Sequence, residues 1–183
     1  MTADRFVRAL ARTQIGETFN FYGHGRGAAG RRERLRAYLE RRHEAPVLLV
    51  GEAAGYRGAR VSGIPFTSER QLTGSGPGEA TATIVQRVLC ELRLADDVLL
   101  WNLVPTHPHL PGNPDSNRCP TRREIDAALP FLEQLVVGRR VIAVGRLAHR
   151  ILGGAYVRHP AHGGAPEFHT GLVRALSSPE PLA

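Results

Sequence analysis

Three polar residues stand where apolar runs give out. Glu52 follows VLLV within GEAAG, Asn102 closes DDVLLWN, and His159 lies in AYVRHPAHGG. A carboxamide presents a donor and an acceptor side by side, an imidazole can donate to a carbonyl oxygen, and an aromatic such as Phe66 can stack on a ring face. Brought together, these groups suit a flat heterocycle. Tyr56, His107, His109 and His162 are further polar side chains within reach of the same ends. Glu52 raises the sharpest question, because a carboxylate at the mouth of a buried strand is costly to desolvate. Each residue also has an ordinary reading: Glu52 as a cap or surface acid, Asn102 satisfying loop backbone, His159 as a packed loop imidazole, Phe66 as core. His107 and His109 flank Pro108 with no third ligand at metal-binding spacing, so they read as a solvated loop, with DNA contact as the second reading.

The elements that must position these residues alternate. PVLLVGE, DDVLLWN, RRVIAVG and AYVRHP are short apolar runs of buried-strand type. Among them, EATATIVQRVLCELRL is an amphipathic helix, TRREIDAALPFLEQLV opens on a Thr121–Glu124 capping box, RLAHRIL is a short helix, and GGAPEFHTGLVRAL forms a closing helix. RRERLRAYLERRHE carries Leu35, Tyr38 and Leu39 at helical spacing on a basic helix whose arginines read as a solvated outer face. GHGRGAAG reads as a loop, LVPTHPHLPGNPDSNRCP as a long proline-rich one, and 177–183 as a frayed tail. This alternation predicts a three-layer α/β/α sandwich around a mostly parallel four-stranded sheet, a single domain over 1–183 with an N-terminal extension over 1–30. Ligands in such sheets sit beyond the carboxyl ends of the strands, which gathers GEAAG, WN, GR and HPAHGG into one crevice. Trp101 alternates to the face opposite Asn102 and belongs to the core.

At 183 residues and 42% hydrophobic content the chain can bury its own core. Its 24 basic residues, all arginine, stand against 17 acids for a net charge of +7. That balance favours a polyanionic partner, nucleic acid first, since the planar guanidinium suits phosphate oxygens. Cys90, read as a core thiol, and Cys119, in a loop, are too few for a disulfide framework or a four-cysteine metal site. No run has the character of a signal peptide or the length of a membrane span, so a cytoplasmic protein without membrane contact is expected. G-x-G-x-x-G and GK[ST] are both absent, which argues against a dinucleotide or P-loop site.

The order of these pieces resembles the uracil-DNA glycosylase superfamily, closest to its family four with features of family five. GEAAG followed by GIPF, Asn102 followed by a loop with PGN and Cys119-Pro120-Thr121, and His159-Pro160 fall at matching topological positions from about residue 45 onward. The resemblance implies a fold, an activity and roles. Phe66 would stack on a uracil flipped out of DNA, with Gly51 and Ala53 also against the base. Asn102 would read its Watson–Crick edge, and His159 would donate to the carbonyl beside the breaking bond. Glu52 would polarise a water and offset positive charge on the sugar, as carboxylates do in glycoside hydrolysis. Tyr56 would shape the pocket near C5 and exclude thymine. His109, His162, Gly163 and Gly164 would touch the DNA. A monomeric, monofunctional glycosylase that leaves an abasic site follows from this likeness.

The likeness has gaps. Family-four members carry a four-cysteine iron–sulfur cluster, whereas this chain has Thr106-His107 where one cysteine is expected; no cofactor and no metal are predicted, and Phe19, Phe21 and Tyr22 must anchor the N-terminal segment instead. Ala161 replaces the serine usual after His-Pro, and Gly163 replaces a bulky wedge. Either another side chain, His162 being nearest, fills the stack, or single strands and G·U pairs are preferred because extrusion there is cheap. The rival readings are a non-catalytic binder of uracil-containing or damaged DNA, a nucleoside N-glycosidase acting on small molecules, and a plain interaction module.

Overall fold

The computed structural model describes residues 2–178; the frayed tail expected over 177–183 falls largely on 179–183, outside the described residues, while Ser177 closes a helix. Four parallel strands, β1 (Val47–Ala53), β2 (Val98–Val104), β3 (Arg140–Val144) and β4 (Ala155–Val157), form a sheet in the order β2-β1-β3-β4. The expected α/β architecture is what is observed. The apolar runs become strands because helices cover both faces of the sheet, so a continuous run, not an alternating one, is the stable pattern. Every residue of β2 is buried. Among the described residues no helix is long and apolar enough to cross a membrane.

The five anticipated helices are α2 (Ala28–Arg41), α5 (Ala80–Glu91), α6 (Arg122–Val136), α7 (Arg146–Leu152) and α8 (Ala165–Ser177). The Thr121–Glu124 capping box opens α6, with Glu124 N–H donating to the Thr121 hydroxyl and Thr121 N–H to the Glu124 carboxylate at 2.8 Å. Three helices were not anticipated: α1 (Ala3–Arg12), α3 (Ala59–Ser62) and α4 (Glu69–Thr73). α2 also reaches back to Ala28, into the stretch read as a loop. Trp101 is fully buried and meets Phe6 of α1 edge-on at 5.4 Å, and Phe6 meets Phe131 of α6 at 5.5 Å. Such pairs add roughly 0.5–1.5 kcal/mol each beyond their buried area.

Two readings of the surface need correction. Cys90 is exposed: α5 turns Ala82, Val85, Val88 and Leu89 inward, which leaves position 90 on its outer face. The arginines of α2 are not merely solvated. Arg31 donates to Phe21 O at 2.7 Å, Arg32 to Tyr22 O at 2.7 Å, and Arg34 makes a two-pronged pair with Glu69 at 2.8 and 3.0 Å. Arg31 and Arg32 staple the N-terminal segment to α2 and Arg34 ties α2 to α4, a use that charge counting cannot reveal.

Phe21 and Tyr22 are fully buried, and the Tyr22 hydroxyl donates to Gly63 O at 3.0 Å. Phe19 and His107 exchange backbone hydrogen bonds at 2.9 and 3.0 Å. Thr106 is fully buried with its hydroxyl 2.5 Å from that of Thr18. A four-cysteine iron–sulfur cluster does not fit these residues, since a paired threonine occupies the expected cysteine position and both cysteines of the chain are exposed. Here the N-terminal segment is tied by a hydroxyl pair, a backbone bridge and buried aromatics.

Candidate active site

β1 and β2 run in register with Gly51 beside Asn102, and Asn102 does not close its strand as expected but lies two residues before its end, because Leu103 and Val104 are buried and continue the pairing. A Cβ on Gly51 would lie 2.3 Å from Phe66 Cζ and 2.9 Å from Asn102 Oδ1, so the Phe66 ring rests on bare backbone next to the carboxamide. Phe66 itself sits at φ +50°, a left-handed conformation that costs a bulky side chain of order 1–3 kcal/mol and persists only where its surroundings over-determine it. They do. Gln86 of α5 donates to Phe66 O and to Thr67 Oγ1, both at 3.1 Å, and Ser62 Oγ donates to Thr67 O at 2.6 Å.

Glu52, Ala53, Phe66, Asn102, His159 and His162 line one cavity of about 480 Å³ at the carboxyl ends of the strands. Asn102 is 4% exposed, and among the described residues its carboxamide makes no hydrogen bond. Its donor and acceptor are therefore available to a ligand. His159 follows β4 and packs over Gly145 at the end of β3. The Ala161 N–H donates to His159 Nδ1 at 3.2 Å, which makes that nitrogen the acceptor and leaves the proton on Nε2. Burial, and then the neighbouring His162, hold the imidazole below its usual pKa and so keep it neutral. The outcome is a neutral imidazole on the cavity wall with its proton on Nε2.

The Glu52 carboxylate lies beside the exposed Cys119 thiol and pushes its pKa up, first through its charge and then through hydrogen bonding, which keeps the thiol protonated. Arg118, also on the cavity wall, is held by Glu124 through two bonds of 2.8 and 2.6 Å. Glu124 further accepts from the Glu17 N–H at 3.2 Å, and its carboxyl is drawn down to about 2, chiefly by the Arg118 hydrogen bonds. A second groove, about 850 Å³, shares Glu52, His159 and His162 with the first cavity and continues past Arg146, Arg150 and Arg158.

Other expected residues lie elsewhere. Tyr56 is not on the cavity wall: its ring faces the Arg57 guanidinium at 5.2 Å, and its N–H donates to Asn117 Oδ1 at 3.1 Å. His107 is fully buried, not solvated, with Nδ1 at 2.8 Å from Ala54 O and Nε2 at 3.1 Å from Pro114 O, and it pins the proline-rich loop to the end of β1. His109 stacks on His107 outside the cavity. Gly164 faces inward, since a Cβ there would lie 2.3 Å from His159 O; Gly163, at φ +76°, is open to its surroundings. His162 holds φ +53° and accepts from Arg158 at 3.3 Å through its carbonyl. Glu79, Arg118 and Cys119 were missed in the sequence. Only Arg118-Cys119-Pro120-Thr121, abutting the capping box, offered a signal.

The chain belongs to the uracil-DNA glycosylase superfamily, whose family model matches residues 40–183. It is accordingly a DNA glycosylase. The crystal structure of wild-type SMUG2 from Pedobacter heparinus has a similar fold, with a TM-score of 0.70 at 12% identity over 96% of each chain. No curated protein sequence matches this one.

Proposed function

We propose that this protein excises uracil from DNA, hydrolysing the N-glycosidic bond to leave an abasic site, and that it acts as a monomer. The observation that carries this reading is the convergence of Glu52, Asn102, His159 and Phe66 on one cavity of a size suited to a base. The flipped ring would lie on Phe66, with Asn102 donating to O4 and accepting from N3–H, a pattern that cytosine cannot match. The neutral His159 would donate to O2 as the C1′–N1 bond breaks and its electron pair moves onto the departing base. That charge forms only in the transition state, so a donor fixed in place beforehand lowers the barrier and not merely the ground state.

Glu52 would face the sugar, offset the positive charge growing at C1′, and accept a proton from the water whose oxygen bonds to C1′. This gives a carboxylate at a strand end its purpose. The Cys119 thiol would orient it. Gly163 offers no side chain to fill the gap left by an extruded base, so single-stranded and G·U substrates are expected to be cut faster than A·U pairs.

The test is incubation with a uracil-containing oligonucleotide followed by alkali. Strand scission is expected for the wild type, with a loss of roughly 10²-fold or more for Glu52→Gln at unchanged DNA affinity. Binding without scission would leave a non-catalytic reader of the same base.

A further inference from the structure

Glu79 is a second carboxyl on the wall of the same cavity, and nothing described so far employs it. It stands at the N-cap of α5, yet its side chain makes no capping hydrogen bond. Instead it turns toward the loop after β1, where a Cβ on Gly55 would lie 2.5 Å from Oε1 and one on Gly58 would lie 2.1 Å from Oε2. Gly55 has no positive φ to explain it. What a side chain at position 55 would displace is the Glu79 carboxylate. Burial raises the Glu79 pKa, and among the described residues no cation pairs with it. An acid placed there weakens the fold, which points to a role toward a ligand.

The topology says which part of a ligand. Asn102 lies on β2 at one edge of the sheet and His159 follows β4 at the other. A uracil with O2 toward His159 and N3 and O4 toward Asn102 turns C5, the next ring atom past C4, away from His159. Gly55, Ala59, Glu79 and Thr81 line the same cavity from the segment after β1 and the start of α5, and so belong to neither the Asn102 strand nor the His159 loop. Tyr56, the aromatic of that loop, packs against Arg57 and does not line the cavity.

We propose that Glu79 is the specificity-determining residue of this pocket, its carboxyl closing the cavity against substituents at C5 so that thymine and other 5-substituted uracils are refused. The inference rests on the base-excision reading. It predicts that Glu79→Ala raises kcat/KM for thymine opposite guanine and for 5-bromouracil, relative to that for uracil, by about tenfold or more, the scale on which one added methyl-sized group is discriminated. Glu79→Gln, of equal volume, should refuse both bases as the wild type does. Glu79→Ala that discriminates as sharply as the wild type overturns the proposal.

The same variants are to be titrated with oligonucleotides carrying uracil or thymine on an uncleavable 2′-fluoro sugar. Should the wild type cut no uracil, the excision reading fails while this binding comparison still decides the role of Glu79. A gain in thymine affinity confined to Glu79→Ala supports it, and equal affinities overturn it.

Discussion

The Phe66 ring lies on Gly51, with Cζ 2.3 Å from where a Cβ would be and the Asn102 carboxamide oxygen 2.9 Å from the same point. One missing methyl thus fixes two side chains of the pocket. Gly51→Ala must push the ring or the amide aside, and neither moves freely: Phe66 is held by its neighbours at a strained φ and Asn102 is buried. The variant should lose about 1–3 kcal/mol of stability in urea titration. Its kcat/KM should fall by roughly 10²-fold, the usual cost of an ångström's misplacement.

His159 predicts a pH profile. Its pKa lies below the ordinary value, so the neutral donor form persists on acidification past the point where a free imidazole, near 6.5, would be half charged. The acid limb assigned to this group should therefore sit below about 6.5. His162 is the second cause of the depression, after burial. His162→Ala should accordingly move that limb upward, toward the ordinary value, whatever it does to KM. His159→Ala should cost roughly 10²–10³-fold in kcat, as removal of a single oxyanion donor does.

Glu124 is the structural acid beneath the site. Its side chain is 2% exposed and takes both prongs of Arg118. A carboxyl moved from its ordinary 4.5 to about 2 contributes on the order of 3 kcal/mol at neutral pH. The native pKa is the lower one, so this contribution is complete above 4.5 and disappears as the pH falls through about 2. Glu124→Gln should destabilise the protein by about that amount in urea at pH 7. The difference between variant and wild type should shrink steadily between pH 4.5 and 2.

Much of the fold was legible because the sheet is buried on both faces and leaves continuous apolar runs. Glu52 and Asn102 were legible for a related reason, each being the polar residue that interrupts an apolar run, while His159 stands two residues past β4. α1 was overlooked although Phe6, Val7 and Leu10 have helical spacing behind the Thr2 cap, because arginines interrupt the pattern and packing against α2 supplies the rest. Tyr56 misled through proximity: four residues from Glu52 in sequence, it leaves the pocket where the loop turns. Glu79 was hidden for the converse reason. Its meaning lies in Gly55 and Gly58, more than twenty residues earlier, and no local pattern links an acid to the space that two glycines leave for it.

The groove beside the pocket yields a salt-dependence test. Arg146 and Arg150 lie four apart on α7, hence on one face, and both line the 850 Å³ groove that continues from Glu52 and His159. Among the described residues neither forms an ion pair, whereas Arg158, across the groove, is tied to Glu167 at 2.9 Å. Guanidinium groups left unpaired next to a site that receives a nucleotide are placed to take its flanking phosphates. Each such contact releases condensed counterions and adds about 0.7–0.9 to the slope of log K against log salt. Arg146→Ala with Arg150→Ala should therefore weaken binding of single-stranded DNA uniformly across sequences and reduce that slope by about 1.5, measured by fluorescence anisotropy over a salt series. Arg158→Ala, whose charge Glu167 already balances, should change it far less. An unchanged slope in the double variant would place the DNA backbone elsewhere and leave the arginines of α7 as a solvated face.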